Sequence, residues 1–172
     1  MSTLQEGIAQ CKAAILAAAP GIVEIQAQTA LALVTYRVQS EGLEGAYYTG
    51  RLVPRFFFKD KAFNAGGRAY AKEKKKGSWA GFKAALGLKS DVVTLTFTGR
   101  MFRSLTTQQA GQSGTMFFAR IVAADKESAD KVGWNMDRYG DFLAPNAAEA
   151  AEVAQVGEVE VNKILQQFFP QS

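Results

Sequence analysis

Residues 92–105 read VVTLTFTGRMFRSL, and this stretch decides how the rest of the chain is interpreted. The run Val93–Phe97 alternates between apolar residues and threonine, which predicts a strand with one buried face. Gly99 ends the alternation and permits a tight turn or a bulge. Arg100 and Arg103 follow directly, so two cations come just after that turn. We therefore predict a small sheet built around this stretch, with helices before and after it.

The charge of the chain is unevenly distributed along its length. The 172 residues are 48% apolar and carry a net charge of +4, which fits one folded domain over residues 1–172. Residues 51–90 hold eleven basic and two acidic residues, whereas residues 121–172 hold nine acidic and four basic ones. Such a division favours stacking on a neighbouring subunit, or facing nucleic acid with one side.

Two residue types that carry much enzyme chemistry are rare or missing in the sequence. There is no histidine, which removes the usual general base and the commonest metal ligand. Cys11 is the only cysteine, so neither an intrachain disulfide nor a cysteine metal cluster can form. We expect no enzyme activity, no cofactor and no metal. The first twenty residues lack a basic start, and no long uninterrupted apolar run occurs, so we expect a cytoplasmically made soluble protein with no membrane contact.

The N-terminal part, residues 1–45, is predicted to be helical. A first helix extends to about Ala19, where Pro20 and Gly21 are expected to end it. Residues 22–39 fit a second helix, although residues 30–38 alone also fit a strand. We favour the helix, because alanine and glutamine are frequent there.

Residues 46–90 interleave aromatic and basic side chains and are predicted to form an insertion or arm with partial helix. The Gly66–Gly67 pair is interpreted as a hinge, and a short amphipathic helix around Trp79 is expected to end at Gly87. The candidate contact residues of this segment are Arg51, Arg55, Phe56, Phe57, Phe58, Lys74, Lys75, Lys76 and Trp79.

Residues 91–144 are predicted to hold the sheet. After a turn at 111–114, residues 115–124 form the second hairpin strand, residues 125–130 a polar turn and residues 132–134 a third strand. A last helix over 145–170 begins at Asn146 as its N-cap. The expected fold class is α+β, a small antiparallel sheet flanked by N-terminal helices and a C-terminal helix.

Several short motifs stand out, mostly in the second half of the chain. They are Thr98–Met101 (TGRM) with Ser104–Leu105, the strand Phe117–Val122, Trp134 with Tyr139–Gly140, Phe142–Pro145 (FLAP), and Trp79 in a basic linker. Together these motifs resemble those of the virion-morphogenesis and tail-completion (neck) proteins of tailed bacteriophages. The similarity covers about residues 75–169 and is lost over the aromatic and basic segment 46–75.

The resemblance implies a homo-oligomeric ring in the virion, located between portal and tail or at the top of the tail and surrounding the DNA path. Its partners would be neighbouring portal, connector or tail proteins, with direct contact to packaged DNA as an open alternative. The family offers no catalytic residues that could be transferred to this chain.

Each candidate interface residue also has a simpler interpretation. Arg100 and Arg103 either line a channel and pair with a neighbour, or are ordinary solvated charges at a sheet edge. Lys74–Lys76 either contact DNA phosphates or form a solvated loop. The cluster at 55–59 either stacks on bases, or forms a buried strand or a contact between subunits. The aromatic residues of the second half are interpreted as core or interface anchors, namely Trp134, Tyr139 and Phe142. A non-enzymatic nucleic-acid-binding module over residues 47–83 is the alternative function.

Overall fold

A computed structural model describes residues 4–48, 64–73, 77–96 and 98–170, without the side chains of residues 71–73. These residues form six helices and one antiparallel pair of strands, which confirms the predicted α+β class. In chain order the elements are α1 Leu4–Ser40, α2 Ala65–Glu73, α3 Trp79–Ala85, α4 Arg100–Arg103, β1 Leu105–Ser113, β2 Met116–Ala123, α5 Lys126–Tyr139 and α6 Ala147–Phe168.

The chain divides into two compact units, each assembled from several segments. The first unit comprises Met1–Val34, Ser104–Ala129 and Leu143–Ser172, and the second comprises Thr35–Arg103 and Asp130–Phe142. The chain passes repeatedly from one unit to the other, so the expectation of a single domain stays a prediction.

α1 is one helix of 37 residues, and the predicted break at Pro20 is wrong. Proline removes one backbone hydrogen bond, the one that residue 20 would donate to the carbonyl of Leu16. The flanking sequence is rich in alanine, leucine and glutamine, whose helix propensity sustains the helix across that single loss. The preference for helix over strand at residues 22–39 is confirmed.

The apolar character of α1 bears on membrane contact. By length and composition α1 could cross a membrane. Its most apolar window of 18 residues has a mean hydropathy of 1.5, and only 6% of that window is buried. An uninterrupted apolar run does not reveal this property, because polar residues are dispersed along α1. Core helices of soluble proteins and signal sequences meet the same criterion, so the absence of membrane contact stays a prediction.

The first unit combines the N-terminal part of α1, the hairpin and α6. The strands pair from Leu105 opposite Ala123 to Ser113 opposite Met116, with a bulge between Gln109 and Gly111. α6 begins in a capping box, in which the backbone N–H groups of Asn146 and Glu149 each donate to the other's side chain, at 2.8 and 2.9 Å. The predicted hairpin and the Asn146 cap are confirmed, but the turn lies at residues 114–115 and not at 111–114, because residues 111–113 continue β1.

Two side chains of α1 connect it to the other elements of the first unit. The Gln26 Nε2 group donates to the carbonyl of Val153 in α6 at 3.1 Å. The Thr107 hydroxyl in β1 donates to the Glu24 carboxylate. Gly157 is buried, and a Cβ there would collide with the Gln26 amide. The glycine therefore permits the close approach of α6 to α1 on which the Gln26 bond depends.

The second unit has an aromatic core. Phe102 and Phe142 meet edge to face with ring centroids 6.3 Å apart, and both are buried. Phe82 of α3 is fully buried and lies against Trp79, with centroids 6.0 Å apart. The short helix at Trp79 is confirmed, with Ser78 as its N-cap and Gly87 just beyond its end at φ +75°.

Three further sequence-based assignments are wrong. Residues 93–96 are not a strand, because Leu95 adopts a left-handed φ of 50° and the backbone bonds to other described backbone groups are those of Val93 with Leu43 and Ala46. Phe97 lies outside the described residues. The predicted turn at 125–130 and third strand at 132–134 lie in α5, which starts where Asp125 accepts hydrogen bonds from the backbone and hydroxyl of Ser128. The Gly66–Gly67 pair is not a hinge but the first turn of α2, where side chains would collide with the end of α3.

The close approach at Gly157 leads to a measurable coupling. Replacing Gly157 by Ala raises helix propensity by about 1 kcal/mol, but displaces the Gln26 amide and loses a hydrogen bond of about 1 kcal/mol. We expect Gly157→Ala to be nearly neutral in the wild-type chain and stabilising by about 1 kcal/mol in a Gln26→Ala background. Urea unfolding of the double-mutant cycle measures this difference.

The matched control is Gly21→Ala in α1, where no atom lies within 4 Å of the added Cβ. Gly21→Ala should stabilise the wild-type chain and the Gln26→Ala chain equally. Identical effects of Gly157→Ala in the two backgrounds would contradict the coupling.

Candidate assembly surface

The hairpin leaves both of its long edges unpaired among the described residues, because the sheet has only two strands. One face is solvent-exposed along β2, where Met116, Phe118 and Arg120 alternate with partly buried residues. An isolated two-stranded hairpin is marginally stable, and an unpaired edge is a template for another strand. The hairpin therefore offers both backbone hydrogen-bonding groups and exposed aromatic surface to a partner.

The N-terminal half of α1 forms, with the end of α6, an open apolar groove of about 320 Å³. We call this the apolar groove; its lining is Ile8, Cys11, Lys12, Ile15, Leu16, Leu165 and Phe169. Ile8 is 53% exposed and Lys12 is the only charged residue of the lining. The groove thus presents apolar surface to water with a single cation beside it.

Trp134 lies on the exposed face of α5 with 68% of its surface accessible. One turn away in each direction along the helix lie an acid and a base, Asp130 with Lys131 and Asp137 with Arg138. The neighbouring Arg138 guanidinium lies 5.1 Å from the ring centre of Tyr139. Trp134 is therefore not a core residue of the second unit, although Phe142 is.

The Thr98–Gly99–Arg100 step forms a turn that starts the short helix α4. Gly99 has φ +71°, which confirms the predicted turn. The Arg103 guanidinium donates to the carbonyl of Thr98 at 2.9 Å, so this side chain folds back on its own turn. Arg100 and Arg103 are therefore helical residues, and the interpretation of them as sheet-edge charges is wrong.

The structure also contains a buried polar cluster that the sequence analysis missed. Lys83 of α3 is only 2% exposed, and its ammonium group donates to the Tyr48 hydroxyl at 2.5 Å and to the Thr94 hydroxyl at 2.9 Å. The ammonium also lies 4.5 Å from the centre of the Tyr48 ring. These bonds connect three separate segments of the second unit.

Burial governs the protonation of this cluster. The loss of solvation lowers the pKa of Lys83 to about 8 and raises the pKa of Tyr48, an effect that hydrogen bonds from Thr94 partly oppose. Because the ammonium donates to two hydroxyl groups and lies over an aromatic ring, its charge is compensated by dipoles and by that ring. We interpret the cluster as structural.

The structure brings few of the sequence-predicted contact residues together. Trp79 is partly buried against Phe82, and Phe142 belongs to the core. Trp134 is exposed, and Tyr139 is intermediate. The remaining predicted residues of the arm lie outside the described part of the chain, namely Arg51, Arg55, Phe56, Phe57, Phe58, Lys74, Lys75 and Lys76. Their proposed roles stay predictions.

Some of these structural features can be recognised in the sequence and others cannot. The exposure of Met116 and Phe118 agrees with their alternation along β2, although alternation alone does not say which face is covered. The signal for α5 was Asp125 three residues before Ser128, a capping pattern that the sequence analysis took for a polar turn. No local pattern distinguishes Lys83 from the other lysines of its segment.

Comparison of the chain with family models, with curated proteins and with solved structures finds no match. Within the described residues, no group of three or more histidine, cysteine, aspartate or glutamate side chains is placed to hold a metal ion.

The Lys83 cluster predicts a distinctive pH dependence of stability. An unfolded lysine stays protonated up to about pH 10.4, whereas folded Lys83 loses its proton near pH 8. Between these values the unfolded chain binds more protons, so the free energy of unfolding rises with pH, by at most about 3 kcal/mol. Above about pH 10 the raised pKa of Tyr48 acts in the opposite direction.

Urea unfolding followed by tryptophan fluorescence at pH 7.5, 9 and 10 measures this rise. Lys83→Met should abolish it, while Lys89→Met, a change at an exposed lysine, should leave it intact. A profile that is the same in all three proteins would contradict the assignment to Lys83.

Proposed function

We propose that this chain is a structural virion protein of a tailed bacteriophage, a ring-forming neck or tail-completion subunit that joins head and tail around the DNA path. The observation that carries the proposal is the surface that a single copy exposes among its described residues. This surface consists of the two unpaired edges of the hairpin, the apolar groove and Trp134. Large exposed apolar surfaces mark contact sites, and strand edges pair with further strands. A closed ring supplies both kinds of partner to every subunit.

The charges of the two units support contacts between unlike surfaces. The first unit holds eight acidic and four basic residues, and the second holds sixteen basic and eight acidic ones. Opposite net charges on two parts of a subunit favour head-to-tail contacts, in which the first unit of one copy meets the second unit of the next. Head-to-tail contacts form a closed ring when the rotation between copies closes, whereas like-to-like contacts stop at dimers.

The tail-completion assignment itself depends on the resemblance of the TGRM step and the FLAP segment, since the exposed surfaces specify assembly and not the identity of the particle. In this proposal the chain is non-enzymatic, it assembles in the bacterial cytoplasm, and its neighbours are portal, connector or tail proteins. The net positive second unit is available for contact with an acidic neighbour or with packaged DNA.

The hairpin face yields a test of ring assembly. Phe118→Lys places a charge in exposed aromatic surface that a neighbour would cover. Burial of such a side chain contributes about 1.5–3 kcal/mol, so assembly should weaken by at least about tenfold. Mass photometry over a concentration series measures the effect.

The control is Val159→Lys on α6, because Val159 and Phe118 are equally exposed at 46%. Its assembly should match the wild type. A wild-type chain that stays monomeric at every concentration would contradict the ring proposal. Mass spectrometry of purified virions then tests location: a low copy number relative to the major capsid protein supports it, and absence from the particle contradicts it.

The net positive charge of the second unit also favours a second candidate, a nucleic-acid-binding module over residues 47–83. Changing Lys74, Lys75 and Lys76 together to Glu should then reduce DNA retention strongly and flatten its salt dependence. The charge-matched control changes Lys126, Lys131 and Lys163 to Glu. Equal retention by both variants, or no retention by the wild type, would exclude this candidate.

A further inference from the structure

The apolar groove and Trp134 are complementary surfaces that lie in different units of the chain. The groove belongs to the first unit, where apolar side chains of α1 and α6 surround about 320 Å³ of open space. Trp134 belongs to the second unit and is 68% exposed. Tryptophan is the residue type most enriched at the centres of protein interfaces, because its indole fills an apolar pocket with a large, rigid surface.

The net charges of the two units are also complementary. The unit that holds the groove has a net negative charge, and the unit that holds Trp134 has a net positive charge. The charges next to the indole are mixed, because Asp130 with Lys131 and Asp137 with Arg138 lie one helical turn away on its two sides. The attraction therefore acts between the units as wholes, and the indole and the groove supply the apolar contact.

We infer that the occupant of the apolar groove is a second copy of this chain, whose Trp134 side chain inserts between α1 and α6. This inference rests on the proposed ring and names the contact that would propagate it. The contact is heterologous, since the surface given by one copy differs from the surface received by the next. Each subunit of a ring would therefore use its groove once and its tryptophan once.

A pair of complementary variants tests the contact. Trp134→Ala removes the inserted side chain, and Ile8→Glu places a charge in the groove at a position that is exposed in the free chain. Each variant alone should assemble about 30-fold more weakly than the wild type. An equimolar mixture should form one-to-one dimers, because one variant keeps an intact groove and the other an intact tryptophan. Tyr36→Ala, at an aromatic residue that is 70% exposed, is the control and should assemble normally.

Fluorescence gives an independent readout in a Trp79→Phe background, where Trp134 is the only tryptophan. The emission should shift to shorter wavelength as particle mass grows with concentration, because the indole leaves water. Circular dichroism checks that every variant keeps its helical content.

The possible outcomes separate this contact from the ring itself. A wild-type chain that never assembles overturns both. A wild-type chain that assembles, with Trp134→Ala assembling equally well or with a mixture that stays monomeric, overturns this contact alone. Flotation of the chain with phosphatidylcholine vesicles, lost in Ile8→Glu but not in Trp134→Ala, would assign the groove to lipid and also overturn it.

Discussion

α1 carries apolar residues around its whole circumference over 37 residues, about 55 Å of helix, and the chain covers little of this surface. A helix with one apolar stripe can be covered by a single neighbouring layer, but a helix that is apolar all round needs cover on several sides. α6 and the hairpin supply part of that cover in the first unit through the Gln26 and Thr107 bonds. The remaining exposed surface is the physical reason for expecting further subunits around it.

The two units are held together by different interactions. The second unit has an aromatic core around Phe82, Phe102 and Phe142, and a buried ammonium group that connects three of its segments. The first unit has a hairpin whose edges are unpaired among the described residues, and a helix pair that approaches closely at Gly157. An assembly of many copies would stabilise the first unit most, since its exposed edges and apolar groove are where a neighbour adds contacts.

The errors in the sequence-based assignment share a cause. Pro20, Leu95 and Gly66 were each interpreted by the usual effect of their residue type, as a helix end, a strand residue and a hinge. In the structure the surrounding residues override each of these effects: strong helix formers continue α1, a left-handed turn at Leu95 interrupts the alternation, and α3 packs against the glycines of α2. Local propensity is a weak prior wherever neighbouring segments supply a competing interaction.

Features that depend on short-range patterns could be predicted from the sequence. These are the α+β class, the hairpin, the Asn146 cap, the short helix at Trp79, the missing histidine and the uneven distribution of charge. Which apolar residues are covered depends on the tertiary structure: Phe142 is buried against Phe102, whereas Trp134, also aromatic and only eight positions earlier, is exposed. The same holds for Lys83, whose burial depends on Tyr48 and Thr94. Whether a side chain is buried depends on contacts between segments that are far apart in the chain. A local sequence pattern does not show which segments meet.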